Sequence, residues 1–175
     1  LVGESGSGKS VTLRSLVRLI GSNGHTQGSV VWRDREVMTM STTGLRDLRG
    51  GEISMIFQEP ISALNPVLSV GEQIKETLRE HTNLTSAQID DTAVELLTMV
   101  GIPSAARRLK DYPHQFSGGM RQRVMIAIAL ASNPQLLLAD EPTTALDVTI
   151  QDQILKLILR LKDQLGMSVI LVTHD

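Results

Sequence analysis

The 175-residue sequence contains no cysteine and very few aromatic side chains. Without cysteine there are no disulfides, no thiolate metal sites and no cysteine nucleophile, and such a composition suits a reducing cytosol. Aromatic residues make up only 2% of the chain, so Trp32 and Phe57 are expected to serve packing rather than a base-stacking surface. Thiol chemistry is therefore excluded and single-stranded nucleic acid is a poor candidate ligand.

Two further features are missing, a basic excess and a long apolar run. Lys and Arg number 17 against 19 Asp and Glu, which gives a net charge of −2. Nucleic-acid binders usually show the opposite balance, so we expect no nucleic-acid partner. The longest apolar run, residues 124–131, is far shorter than the roughly 20 residues of a membrane helix. No signal peptide is recognisable, and any membrane role is expected to be peripheral.

A glycine-rich segment at residues 3–10 reads G-x-x-x-x-G-K-S, the pattern of a phosphate-binding loop. Its glycines permit positive φ and close backbone approach, so that successive N–H groups can surround phosphate oxygens. Lys9 is expected to reach the β- and γ-phosphates and the Ser10 hydroxyl to bind Mg²⁺. The predicted nucleotide-binding residues here are Gly3, Glu4, Ser5, Gly6, Ser7, Gly8, Lys9, Ser10 and Val11.

Apolar residues after the loop recur at helical spacing and predict a helix with one buried stripe. The helix N-terminus would add partial positive charge beside the phosphates. Only two residues precede the loop, and the chain ends directly after an apolar strand, so we expect a fragment truncated at both ends. The predicted stripe consists of Val11, Leu13, Leu16, Val17 and Ile20.

The first half of the remaining chain mixes strands and helices. Residues 28–38 predict an antiparallel strand pair, and residues 53–57 a strand that ends at Gln58. Turn residues at 21–24 and the prolines of Glu59-Pro60 and Asn65-Pro66 predict loops. Helices are expected over residues 70–81 and 86–100. Because this helical middle interrupts an α/β pattern, residues 59–123 are predicted to form an inserted helical subdomain.

The second half alternates helices with buried strands. Residues 122–132 are apolar nearly all round and predict a buried helix. Residues 136–140 and 169–172 predict strands of a parallel sheet, joined by a helix over 150–165 that Gly166 ends. Strand–helix–strand alternation implies right-handed crossovers. The sequence therefore predicts one α/β domain with a parallel core sheet and an antiparallel edge.

Polar residues gather where these strands end, which is where ligands collect in open α/β sheets. Asp140 is expected to hold Mg²⁺, and Glu141 to polarise the water that attacks the γ-phosphate. Gln58 is expected to contact both the metal and that water, and His174 to lie beside the γ-phosphate. Acids, amides and lone histidines often end strands without any role, but a phosphate loop in the same chain favours the functional interpretation.

A second anion cradle is predicted at Ser117, Gly118 and Gly119, which precede the buried helix. Two cradles in one chain leave two explanations. Either the chain binds two ligands, or one cradle serves the ligand of a neighbouring subunit.

In this order the motifs resemble those of the nucleotide-binding subunit of an ABC transporter. Residues 3–10 are similar to Walker A, Gln58 to the Q-loop, residues 117–119 to the signature, residues 136–141 to Walker B, residues 145–147 (Ala145-Leu146-Asp147) to the D-loop and His174 to the H-loop. The resemblance implies the fold of a P-loop NTPase with a parallel core sheet, an antiparallel β edge and an inserted helical subdomain. It further implies ATP and Mg²⁺ as ligands and ATP hydrolysis as the reaction.

The segments Gln58-Glu59-Pro60, residues 63–67 and residues 112–123 resemble the dipeptide and oligopeptide importer branch, which includes nickel and glutathione importers. Met120, Phe116 and Arg35 depart from the commonest family residues Gln, Leu and Gly. The resemblance implies a dimer in which each ATP lies between the Walker A loop of one subunit and the signature of the other. It also implies transmembrane permease subunits facing the segments around Gln58 and Ser117, a solute-binding protein as an indirect partner, and a place on the cytoplasmic face of the membrane.

The function predicted from this resemblance is ATP hydrolysis that powers uptake of a small peptide or related solute. Two alternatives stay open at this point. One is a soluble ABC ATPase without a transport partner, and the other is a catalytically inert fragment. The sequence does not identify the transported solute, or whether the pairing partner is a second copy or a related subunit.

Overall fold

A computed structural model describes residues 1–4, 6–21, 24–58, 63–144 and 146–174. Four predictions involve residues outside this part of the chain. They are the nucleotide role of Ser5, the turn at Ser22-Asn23, the break at Glu59-Pro60 and the first D-loop residue, Ala145.

Three parallel strands form the core sheet, in the order β3-β4-β5. They are β3 (Ile53–Ile56), β4 (Leu136–Asp140) and β5 (Ser168–Val172). Val2, just before the phosphate loop, forms a parallel bridge with Thr173, so the loop starts beside β5. The predicted parallel core sheet is confirmed, and β4 has the predicted bounds.

A small antiparallel hairpin lies outside this sheet, as predicted, but it is shorter than residues 28–38. It consists of β1 (Val31–Trp32) and β2 (Arg35–Glu36). Both residues between the strands have positive φ, 48° at Arg33 and 62° at Asp34, as a tight two-residue hairpin turn requires. After β2 the chain turns into a 3₁₀-helix at Val37–Thr39, which ends the pairing.

Arg35, a departure from the family pattern, ties this hairpin to the segment before β3. Its guanidinium donates to both carboxylate oxygens of Glu52 at 2.6 Å, and Trp32 Nε1 donates to the same carboxylate at 2.8 Å. The hydrogen bonds from Arg35 are the main reason why the pKa of Glu52 is lowered, although partial burial opposes the shift. The substitution therefore has a structural explanation in this chain.

Seven α-helices are described in this part of the chain, most of them begun by a side-chain cap. Ser41, Ser69, Thr85, Ser117 and Asp147 each accept a hydrogen bond from a backbone N–H in the first turn, the usual N-cap arrangement. The helices are α1 (Lys9–Leu16), α2 (Thr42–Leu48), α3 (Val70–His81), α4 (Ser86–Met99), α5 (Ala105–Arg108), α6 (Gly118–Leu130) and α7 (Val148–Leu165).

Most predicted helices are confirmed, and α3 has the predicted bounds. Gly166 ends α7 with φ 65°, as expected of a left-handed C-cap. Apolar residues at helical spacing predict one buried face on each of α4 and α7, and all of these residues are buried except Leu165, which is half-buried. They are Ile89, Ala93, Leu96, Leu97 and Val100 for α4, and Ile154, Leu157, Ile158, Leu161 and Leu165 for α7. The short helices α2 and α5 and the 3₁₀-helix Pro113–Gln115 were not predicted, because segments this short show little periodicity.

The prediction for α1 is wrong in two respects. The helix ends at Leu16 rather than reaching Ile20, and Val11 is 62% exposed instead of buried. Arg18 has φ 54°, which no α-helix accommodates. The side chain of Arg49 then binds the carbonyls of Val17 and Arg18 at 2.7 and 2.6 Å. A long-range contact therefore stabilises the helix end.

Apolar side chains cover both faces of the sheet. Leu137 packs with α3, α4, α6 and α7, whereas its neighbour Leu138 packs with α1 and α2 on the opposite face. Since side chains alternate along a strand, Asp140 lies on the same face as Leu138 and points toward α1. The predicted subdomain at residues 59–123 stays a prediction. None of the described helices is long and apolar enough to cross a membrane.

Candidate nucleotide site

The phosphate loop has the backbone geometry that its glycines predict at two of three positions. Gly6 and Gly8 have φ of 79° and 87°, whereas Gly3 does not adopt positive φ. A Cβ at Gly3 would instead lie 3.2 Å from Ser7 Oγ, a close contact to which the Ser7 side chain would have to adjust. Gly8 is the N-cap of α1, and no side chain caps this helix. The first backbone N–H groups of α1 therefore have no side-chain cap as a partner and are suited to binding an anion.

The side chain of Lys9 folds back across the loop. Its Nζ donates to the carbonyls of Gly3 at 2.5 Å and Glu4 at 2.7 Å, and Ser7 N donates to the same Glu4 carbonyl at 3.3 Å. These bonds keep the loop curved and hold the ammonium charge over it. This placement of a point charge beside a concave row of N–H groups is what phosphate binding requires.

Asp140 is fully buried, and both of its oxygens have a partner on α1. Ser10 Oγ donates to Oδ1 at 2.6 Å, and an Arg14 nitrogen donates to Oδ2 at 3.3 Å. Ser10 and Arg14 are four residues apart and so share one face of the helix. A buried carboxylate needs such pairing because desolvation disfavours its charge.

The hydroxyl of Ser10 and the carboxylate of Asp140 fit a Mg²⁺ site that phosphate oxygens and water would complete. Among the described residues there is no cluster of three or more His, Cys, Asp or Glu side chains able to hold a metal alone. Mg²⁺ commonly takes one or two protein ligands together with phosphate oxygens and water. A hydroxyl and a carboxylate already 2.6 Å apart match that requirement.

Three side chains converge on one oxygen of Glu141. Gln58 Nε2 donates to Oε2 at 3.1 Å, Thr144 Oγ1 donates at 2.9 Å, and His174 Nδ1 lies 3.3 Å away. Gln58 and His174 each lie two residues past the end of a strand rather than at its end, and those strands flank β4 on either side. The structure thus brings together the predicted catalytic residues Gln58, Glu141 and His174.

Glu141 itself is in the left-handed region, with φ 46°. Its N–H donates to Val172 O at 3.0 Å, which holds the residue against β5. Such a backbone is uncommon outside glycine and clusters at functional sites.

Thr144, the third residue that contacts Glu141 Oε2, was not predicted from the sequence. Its only signal is a hydroxyl three residues after Glu141, in a turn where Thr144 N also donates to Glu141 O at 3.2 Å.

The second predicted cradle, at Ser117, Gly118 and Gly119, packs against the segment that leads into α7. Ser117 is the N-cap of α6 and accepts from Met120 N at 3.4 Å. A Cβ at Gly119 would lie 2.7 Å from Ile150 Cγ2, and one at Gly118 would lie 3.4 Å from Leu146 Cδ2. These contacts join α6 to the start of α7, not to the phosphate loop. Gly119 is therefore needed for helix packing whatever its role toward an anion.

Comparison with known proteins decides the family. The family described as ABC transporter matches residues 1–144. This chain belongs to the ABC transporter family. The resemblance seen in the motifs is thereby confirmed, and the order of loop, Gln58, Ser117, Asp140 and Glu141 is that of a family member.

Curated relatives come from the peptide-transport branch. The peptide import ATP-binding protein BAB2_1052 of Brucella abortus (strain 2308) is 57% identical over 176 residues, which cover 100% of this chain and 53% of the relative. The oligopeptide transport ATP-binding protein AppD of Bacillus subtilis (strain 168) is 53% identical over 100% of this chain and 54% of its own length. The chain thus spans about half the length of the curated relatives it matches.

A solved structure confirms the ABC ATPase fold. The ATP-binding cassette MJ0796, described as a dimeric post-hydrolysis state bound to ADP and Pi, aligns with a TM-score of 0.84 and 34% identity. The alignment covers 99% of this chain and 73% of that protein. The parallel sheet, the antiparallel hairpin and the surrounding helices are therefore those of an ABC cassette.

Proposed function

We propose that this chain is the ATP-binding and ATP-hydrolysing part of an ABC importer subunit that powers uptake of di- or oligopeptides or a related small solute. The observation that carries the proposal is the convergence of Gln58, Thr144 and His174 on Glu141, next to the paired Ser10 and Asp140. The names of the relatives support the peptide branch, since they concern peptide import and oligopeptide transport.

The phosphate loop binds the substrate ATP. The uncapped N–H groups at the start of α1 take the phosphate oxygens, and Lys9 exchanges its bonds to the Gly3 and Glu4 carbonyls for the β- and γ-phosphates. In the proposal the described loop residues and Val11 border the same phosphates. Ser10, Asp140 and Gln58 would hold Mg²⁺, which would supply charge neutralisation at the phosphates.

Glu141 accepts the proton of the attacking water. Its contacts among the described residues converge on Oε2, so we assign Oε1 to the water. The amide of Gln58, the hydroxyl of Thr144 and the ring of His174 hold the carboxylate in one orientation. Positioning of this kind is valuable because proton transfer requires hydrogen-bond distance to the water.

The proposal includes a second nucleotide-binding subunit as partner. Gly118 and Gly119 contact Leu146 and Ile150 rather than the phosphate loop, and in the proposal Ser117, Gly118 and Gly119 complete the nucleotide site of that second subunit. The dimeric state named for the MJ0796 structure supports this arrangement. Permease subunits, a solute-binding protein and a place on the cytoplasmic face of the membrane complete the proposal.

A mixing experiment tests both hydrolysis and its division between subunits. Two variants of the complete protein, Glu141→Gln and Ser117→Arg, are assayed for phosphate release from MgATP alone and then mixed. Each alone should lose activity, whereas a mixed dimer contains one intact site made of Glu141 from one chain and Ser117 from the other. Recovery of roughly a quarter of wild-type turnover is expected, because about half of randomly formed dimers are mixed and each has one of two sites.

Two results would contradict the proposal. If the wild-type protein releases no phosphate from MgATP, the assigned reaction is wrong. If wild type is active but the mixture stays as inactive as its components, the site does not combine residues from two copies of this chain.

A further inference from the structure

Gln122, on helix α6, is completely buried, and neither its amide nitrogen nor its amide oxygen has a hydrogen-bond partner in the described part of the chain. The other buried glutamine, Gln73, behaves in the usual way. Its side chain accepts from Asn65 N at 2.9 Å and donates to the carbonyls of Asn65 and Leu68 at 3.0 and 3.1 Å. Unpaired buried amides are rare in native proteins, so Gln122 requires an explanation.

The face of α6 that holds Gln122 is directed toward strand β3. Residues three, four and seven positions apart share a helix face, which places Gln122 with Met125 and Ala129. Those two residues line a cavity of about 370 Å³ together with side chains of β3 and with Phe57. Helix α6 also packs directly on β3.

The height of Gln122 along β3 follows from a second contact. Ser132, just past the end of α6, lies 3.5 Å from Ser54 between the two hydroxyl oxygens. A short turn then leads into β4, which is parallel to β3, so α6 runs antiparallel to β3. Eight helical steps from Leu130 back to Gln122 span about 12 Å, and two further residues lead from Leu130 to Ser132. Two strand steps from Ser54 to Ile56 span about 7 Å, and Phe57 and Gln58 continue beyond the end of the strand. Gln122 therefore lies near the level of Phe57 and Gln58.

An orphaned amide at this place costs free energy that an apolar side chain of similar size would not. Such a cost is explained if the amide gains a partner in another state of the protein. We propose that Gln122 is a positioning residue, whose amide binds the main chain of Phe57 and Gln58 when the nucleotide site closes. It would thereby link the helix that begins at Ser117 to the segment that presents Gln58 to Glu141. This inference rests on the proposed function.

The test compares Gln122→Met with the matched change Gln73→Met in the complete protein. Thermal unfolding is followed without nucleotide and with Mg²⁺ plus a non-hydrolysable ATP analogue, and kcat and KM are measured with MgATP. Without nucleotide, Gln122→Met should raise the unfolding midpoint by about 2–4 °C, since an unpaired buried group is removed. Gln73→Met should lower the midpoint, because three satisfied bonds are lost.

With the analogue, the midpoint gain of Gln122→Met should be clearly smaller than that of wild type, and its kcat should fall about tenfold while KM stays within twofold. The midpoint gain of Gln73→Met should equal that of wild type. A lowered nucleotide-free midpoint in Gln122→Met, or an unchanged analogue response and kcat, would overturn the inference.

The two proposals fail in different ways. If wild type shows neither turnover nor a response to the analogue, the proposed function fails and the role of Gln122 fails with it. If wild type is active and Gln122→Met matches it in both measurements, only the role of Gln122 is wrong.

Discussion

Ser10 Oγ donates to Asp140 Oδ1 at 2.6 Å across 130 residues of sequence. The bond joins the first turn of α1 to the last residue of the central strand β4. Arg14 occupies the second oxygen of the same carboxylate. Two predicted magnesium ligands are therefore already paired, and the pair also ties the phosphate loop to the sheet.

This pairing predicts an energetic coupling between the two residues. In a double-mutant cycle of Ser10→Ala and Asp140→Ala, we expect the effects on the free energy of unfolding to deviate from additivity by about 1–2 kcal/mol, because a hydrogen bond to a buried charge is lost in either single variant. Urea unfolding in the absence of nucleotide measures this deviation from additivity. Ser15→Ala, also on α1 but hydrogen-bonded to Thr12 O, should be additive with Asp140→Ala; additivity in both cycles would refute the coupling.

Replacing the proposed general base should separate binding from hydrolysis. Glu141→Gln keeps the size of the side chain but removes its basicity, so phosphate release from MgATP should fall by about 10²–10⁴-fold while nucleotide affinity changes little. Equilibrium binding of a fluorescent ATP analogue and a steady-state assay measure the two quantities. Glu95→Gln, at an exposed position on α4, is the matched control. Equal losses of phosphate release in both variants would contradict the assignment of Glu141 as the general base.

Gly119 should be needed for folding as well as for any contact with nucleotide. A Cβ would lie 2.7 Å from Ile150 Cγ2, and overpacking of this kind typically costs about 1–3 kcal/mol. Gly119→Ala is therefore expected to lower stability, and Gly118→Ala, with its nearest contact at 3.4 Å, to lower it less. Chemical denaturation measures both.

The double variant Gly119→Ala with Ile150→Ala distinguishes packing from nucleotide contact. Because Ile150→Ala by itself removes packing, the informative quantity is the cost of Gly119→Ala in each background, which should be much smaller beside Ile150→Ala than in wild type. If turnover of the double variant stays far below that of Ile150→Ala alone, Gly119 also acts at the nucleotide. An equal cost in both backgrounds would show that the contact with Ile150 is not the cause of the loss.

The tie between Arg35 and Glu52 predicts a pH-dependent stability. Because the folded protein lowers the pKa of Glu52, chiefly through hydrogen bonds from Arg35, the carboxylate stabilises the fold above its unfolded pKa of about 4.3. The contribution is lost as the pH falls through the folded pKa. Glu52→Gln should therefore cost about 1 kcal/mol near pH 7 and progressively less below pH 4.

Denaturation midpoints of wild type and Glu52→Gln between pH 3 and 8 give this difference. In a background of Arg35→Gln the same substitution should cost less at neutral pH, since the main partner is gone. A cost that is the same at every pH, with or without Arg35, would show that the carboxylate charge is not involved.

The features that depend only on residues close together in the sequence could be predicted without the structure. The loop at residues 3–10, the cap at Ser117 and the glycine end of α7 at Gly166 were all predictable, because left-handed φ and capping are local requirements. The bounds of α3 were predictable because its apolar periodicity extends over the whole helix, and those of β4 because its apolar residues form one continuous run. The family resemblance, now confirmed, followed from the order of these same local motifs.

The contacts between residues that are distant in sequence could be seen only in the three-dimensional structure. Arg49 stabilises the early end of α1, Gly119 packs on Ile150, and Thr144 joins Gln58 and His174 at Glu141. Such contacts depend on the order and register of the strands and on the direction in which each helix crosses the sheet. Those are set by the packing of the whole core, and no local pattern of residues encodes them.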